Sequence, residues 1–101
     1  MRQQDPANLR DVVEAVLDVA QFQTQDGRDA VLMLLPREVS GAVRRMGTAR
    51  MDTMSIVSTC ARYPGGLDEL IQAIRFFADG SIAMTRLDAI VAVLPAEPNE
   101  V

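Results

Sequence analysis

A chain of 101 residues suffices for one domain, and an apolar content of 49% excludes disorder over most of it. All ten cations are Arg, His is absent, and the formal charge of −4 argues against general affinity for nucleic acid, which needs a surplus of cations facing phosphates. A single Cys excludes an internal disulfide and fits an intracellular setting.

The polar start, MRQQDPANLRD, lacks the apolar stretch of a signal peptide. Asp5 before Pro6 suits a cap followed by proline at the first helical position. Leu9, Val12, Val13, Val16, Leu17 and Ala20 then share one helical face, which predicts a first helix over residues 6–23. Asp26 is placed to cap a second helix that Pro36 ends. The longest uninterrupted apolar run, residues 30–36, lies in this helix and is far too short to span a bilayer, so a cytoplasmic location is expected. PREVSGAVRRMG reads as a short third helix, weakened by Gly41 and stopped by Gly47 in a left-handed cap.

Thr48 suits the cap of a fourth helix over residues 49–63. Its stripe is Met51, Met54, Val57 and Ala61, widened by Ile56, Cys60 and Tyr63, as in a central helix touched from both sides. Leu67, Leu70, Ile71, Ile74 and Phe77 define a fifth helix, with Gly80 as its stop and Ser81 as the cap of a sixth. Ala83, Leu87, Ile90, Val91 and Leu94 line that last one. Residues 96–101 have the composition of a linker, leaving one domain over residues 1–95. No segment alternates with the two-residue period of a strand. The expected fold is all-α, a bundle of about six short helices.

The stretch CARYPGGLDEL poses a choice between a phosphate-cradling loop and a hinge. Neither G-x-x-x-x-G-K-[ST] nor G-x-G-x-x-G is present, and the stretch follows a helix where both motifs follow a strand. Pro64 cannot continue the fourth helix, and Gly65 and Gly66 tolerate a sharp reversal. Asp68 and Glu69 then sit at the positive end of the fifth helix. The hinge reading fits better.

Residues 51–81, MDTMSIVSTCARYPGGLDELIQAIRFFADGS, resemble the signature of the type 2 effector-associated domain of bacterial conflict systems. Thr59, Cys60, Tyr63, Pro64, Gly65, Gly66, Leu67, Phe77, Asp79, Gly80 and Ser81 carry the resemblance, and LLPREVSGAVRR, Arg86 and Leu87 extend it over about residues 9–94. The chain departs from the pattern at Ala78, where an acidic residue commonly follows the Phe, and over residues 46–49, where Ile-Pro-Arg is expected. The resemblance implies an adaptor whose partner is a like domain on an effector or NTPase protein, with self-association as a second route. That logic parallels the death-fold adaptors of animals. No cofactor, no nucleic acid and no membrane is expected as a partner.

Catalysis has little to build on. No His is available as a base, Cys60 lies on an apolar stripe without one, and no set of metal ligands is evident. A non-enzymatic role is therefore expected. Met33, Met46, Met51, Met54 and Met84 suit gap-filling in a core poor in aromatics better than an adaptable surface. Phe76 lies off the centre of its helix's stripe, either as a second core contact against the sixth helix or as a partly exposed anchor for a partner. Charge is segregated: six acids against three Arg over residues 1–30, five Arg against two acids over 37–62, and six acids against two Arg over 63–101. Beyond simple solvation, this pattern supports a two-sided module. Arg44, Arg45 and Arg50 would form a positive face, and Asp11, Glu14 and Asp18 a negative one, for head-to-tail contact. The alternative is a small helical DNA-binding regulator that uses the same arginines.

Overall fold

The computed structural model describes residues 5–94, with side chains from residue 9 onward. Among these residues there are six α-helices and no strand: α1 (Asp5–Leu17), α2 (Gln25–Met33), α3 (Arg37–Ser40), α4 (Ala49–Ala61), α5 (Gly66–Ala78) and α6 (Ile82–Ala92). The expected all-α bundle of short helices is what forms. The expected cap by Asp5 and the tail over residues 96–101 lie outside the described side chains and residues.

The first helix is shorter than its periodicity predicts. It stops at Leu17, and a 3-10 turn over Ala20–Phe22 follows. Val19 leaves the helix with φ −74° and ψ 132°, which lets both Val19 and Phe22 reach the core. The side-chain amide of Gln23 donates to the Leu17 carbonyl and satisfies one of the helix's orphan acceptors. The cap of α2 is Thr24 rather than Asp26: its hydroxyl accepts from the Gly27 N–H at 3.0 Å, and Asp26 sits within the first turn. α3 is a single turn that ends before Gly41, so Gly47 stops nothing; the left-handed glycines are Gly65 and Gly80. Thr48 and Ser81 cap α4 and α6 as expected, accepting from Met51 N–H at 3.2 Å and Met84 N–H at 3.0 Å.

α1 lies against α4 and α6, and α5 against α4, α2 and α6. Between them Phe22, Ile56, Leu70, Ile74, Met84 and Leu87 are fully buried, together with Val12, Val16, Val19, Val31 and Val57. Each of the larger side chains stabilises the fold by roughly 1.5–3 kcal/mol through removal from water. The buried face of α4 is not the expected stripe. Met51 and Met54 are half exposed and Ala61 is exposed, while Asp52, Thr53, Ile56, Val57, Thr59 and Cys60 face inward. Of the five internal methionines only Met84 is fully buried as core filling; Met33 is exposed and Met46 is half-buried.

The rotation of α4 follows from Asp52. This fully buried carboxylate accepts from Arg28 Nε at 2.7 Å, Arg45 Nη2 at 2.7 Å, Arg45 Nε at 3.0 Å and the Met46 N–H at 3.0 Å. Arg28, itself buried, also donates to the Phe22 carbonyl at 2.9 Å, and Arg45 to Asp29 at 2.6 Å. One carboxylate thus ties α2, the 3-10 turn and the irregular segment before α4 to α4 itself. Burial alone would raise the Asp52 pKa. Hydrogen bonds from Arg45, the Met46 N–H and Arg28 outweigh it and lower the value from 3.8 to about 2. The unfolded chain therefore binds this proton more readily than the folded one. The node's contribution is complete above the unfolded value of 3.8 and is lost as the pH falls towards about 2. Acid titration followed by far-UV circular dichroism should show stability falling across that window. A flat response down to pH ~2 would contradict this account of the node.

Candidate interaction surface

The described polar side chains of α1 point outward, which sets Asp11 and Glu14 along its exposed side, and Asp18 is exposed just past its end. Because α1 packs on α4 and α6, two of these acids meet cations from those helices. Glu14 accepts from Arg50 of α4 at 2.5 and 3.4 Å, and Asp18 accepts from Arg86 of α6 at 3.0 Å. The hydrogen bond from Arg50 lowers the Glu14 pKa, and Glu14 in turn raises that of Arg50. Both partners are well exposed, so the pair contributes little to stability.

The expected positive face is correspondingly dispersed. Arg45 turns inward to Asp52 and Asp29, Arg50 spans to Glu14, and Arg44 remains exposed without an ion-pair partner among the described residues. Asp11 is likewise exposed and unpaired among them. The two faces read from the sequence therefore do not stand apart: Arg50 of the one meets Glu14 of the other at the seam between α1 and α4, while Asp18 pairs with Arg86 of α6. Beside that seam lies a groove of about 390 Å³ lined by apolar Leu9, Val13 and Met54 and by polar Arg10, Glu14, Arg50 and Ser58. Salt should barely alter the domain's thermal midpoint between 50 mM and 500 mM, since screening acts on exposed pairs of little weight and hardly on the buried node. A large downward shift of the melting curve would show that the seam, and not the core, holds α1.

A second surface lies where α5 gives way to α6. Phe76 is 74% exposed and Ile82 is 83% exposed, while Phe77 is only at the edge of exposure. The two Phe rings meet edge to face, with centroids 5.2 Å apart and planes at 87°. Of the two readings open for Phe76, the core contact against α6 is therefore not made, and its ring faces solvent. Arg75 grips Asp88 with two hydrogen bonds of 2.9 and 2.8 Å and so fastens α5 to α6 beneath this corner.

The hinge has the form the sequence predicts. Gly65 adopts φ 72°, Gly66 opens α5, and its N–H donates to the Tyr63 carbonyl at 2.8 Å. Cys60, one turn before, is buried, and burial pushes its thiol up to about 11, out of reach of nucleophilic chemistry near neutral pH. The span from residue 13 to residue 92, which contains this hinge, matches the family described as Effector-associated domain 2, EAD2. The chain belongs to the EAD2 family.

EAD2 is a family of associated, adaptor-type domains rather than a catalytic one. No curated protein and no solved structure matches the chain. The EAD2 span runs from within α1 through the last turn of α6, and so contains the hinge, the Asp52 node and the Phe76 corner together. Among the described residues no helix is long and apolar enough to cross a membrane. The Asp52 node was not legible as a site, since an acid on a helix otherwise reads as solvated surface. The nearest signal is the spacing of Arg45 and Asp52 across the Thr48 cap, which brings the two within reach once the helix starts.

Proposed function

We propose that this EAD2 domain is a protein–protein interaction adaptor. It couples a sensor or NTPase protein to an effector in a bacterial conflict or defence system by associating with a like domain. The observation that carries this reading is the family match over residues 13–92, which covers nearly all of the folded unit. The exposed aromatic corner supports it, because aromatic side chains are enriched among the anchors of protein interfaces. The DNA-binding alternative gains nothing from the geometry: Arg45 and Arg50 are committed to carboxylates, so two of the three cations it needs are spent within the fold.

The test is capture of a second EAD2-bearing protein encoded beside this one, by immobilised domain and by light scattering after size exclusion. A defined complex is expected, with no retardation of mixed duplex DNA at low salt. DNA retardation without capture of any EAD2-bearing partner would reverse the assignment.

A further inference from the structure

Phe76 is the most exposed aromatic of the described fold, and its setting is unlike that of a residue merely left outside. Its ring is propped edge-on by Phe77, and Ile82 stands bare at the start of α6, just past the turn. Such propping limits the rotamers that must be frozen on contact, so the ring is pre-organised as an anchor. Asp79, which caps the C-terminus of α5, lies three residues beyond Phe76; it is exposed and has no ion-pair partner among the described residues. The corner thus presents an aromatic knob with, three residues along the chain, an exposed carboxylate that feels Arg75 but forms no salt bridge with it.

The groove between α1 and α4 has the opposite character. Its apolar lining comes from Leu9, Val13 and the half-exposed Met54, and its charged lining comprises Arg10 and Arg50 against Glu14 alone. Arg50 is shared with Glu14, whereas Arg10 is exposed and has no ion-pair partner among the described residues. At about 390 Å³ the groove has room for a phenyl ring and part of its flank. Knob and groove share no residue, so one molecule presents both and satisfies neither by itself.

Resting on the adaptor reading above, we infer that Phe76 of one copy of this chain seats in the α1/α4 groove of a second, with Asp79 facing Arg10. The contact is heterologous, so each copy keeps a free knob at one end and a free groove at the other. Such a contact generates a chain of copies unless the rotation happens to close a ring. The area involved is at the small end of specific interfaces, so the assembly forms at high local concentration, as when several copies are held on one partner.

Light scattering across a concentration series tests this with variants at exposed positions. The unaltered domain should grow beyond a dimer with concentration. Phe76→Glu and Met54→Glu should each lower the association constant about tenfold or more, as for a central anchor residue. Mixed together, they should give a 1:1 dimer that grows no further, since one intact knob meets one intact groove. Asp79→Arg mixed with Arg10→Glu provides a second pair that leaves the apolar residues untouched. It should restore the contact that either change weakens alone. A monomeric wild type, wild-type growth in both apolar variants, or variants that fail to complement on mixing would each overturn the inference. If the same preparations still capture a distinct EAD2-bearing protein, the adaptor reading stands while this contact falls; if they capture none, both fall.

Discussion

Asp52→Ala should destabilise the domain by about 3–5 kcal/mol, the usual cost of removing one partner from a buried ion pair. A domain of this size has about 5–15 kcal/mol in total, so the variant loses a large share of it. The loss is not that of a missing attraction alone. Arg28 stays buried with only the Phe22 carbonyl to receive its hydrogen bonds, and the Met46 N–H loses its acceptor. Arg45 can swing to solvent and keep Asp29, so its share of the damage is smaller. The same logic predicts strong non-additivity. Combining Asp52→Leu with Arg28→Met removes both buried charges, and the double variant should be more stable than Asp52→Ala alone. Urea unfolding distinguishes these cases: the midpoint should drop sharply for the single change and recover in the double, with the slope unchanged. A drop below about 1 kcal/mol in the single variant would mean that the node is solvated and not closed.

That node also marks the limit of what periodicity reveals. Apolar spacing on α4 points to Met51, Met54 and Ala61 as the inner face and leaves polar Asp52, Thr53 and Thr59 outside, whereas those three are buried and the first three are exposed. Burial was decided by two arginines, seven and twenty-four residues away, that make the carboxylate an interior group. No local rule carries that information. Local chemistry reads correctly where Thr48 and Ser81 cap their helices and where Gly65 and Gly80 take the left-handed turns, but not at Gly47, which the sequence places as the stop of α3 and which lies well past its end. At α2 the cap is Thr24 and not the expected Asp26: the Thr24 hydroxyl accepts from the Gly27 N–H, and the helix starts two residues earlier than the sequence reading placed it. For the surface, the segregated charge along the chain suggested two faces, but α1 against α4 folds those blocks onto one another, and Glu14 meets Arg50. For Phe76, which the sequence leaves open between a core contact and an exposed anchor, the helix turns the off-stripe ring to solvent.

Substituting the two adjacent hinge glycines should separate two physical demands that the Pro-Gly-Gly string combines. Gly65 has φ 72° and open space where a Cβ would go, so only backbone conformation opposes a side chain there. Gly65→Ala should cost roughly 1–2 kcal/mol, and Gly65→Asn less, because Asn tolerates the left-handed region. Gly66 is the reverse case. Its own φ is ordinary, but a Cβ would stand 2.1 Å from the Cys60 carbonyl oxygen and 3.2 Å from the Tyr63 Cβ. That oxygen belongs to the last turn of α4, where it accepts from the Tyr63 N–H at 3.1 Å, and Cys60 is fixed in the core. It cannot yield without moving α4 against α5, whose packing on each other places Ile56, Leu70 and Ile74 in the interior. Gly66→Ala should therefore cost ~3 kcal/mol or more, at or beyond the upper end of overpacking effects, and Asn should rescue nothing there. Urea midpoints in the order wild type, Gly65→Asn, Gly65→Ala, then Gly66→Ala far below are the expected result. Equal losses at both positions would show that conformation alone governs the hinge. The predicted gap makes the second glycine the closer constraint, since it sets how near α5 may start to the end of α4 and hence where α5 delivers Phe76 to the surface.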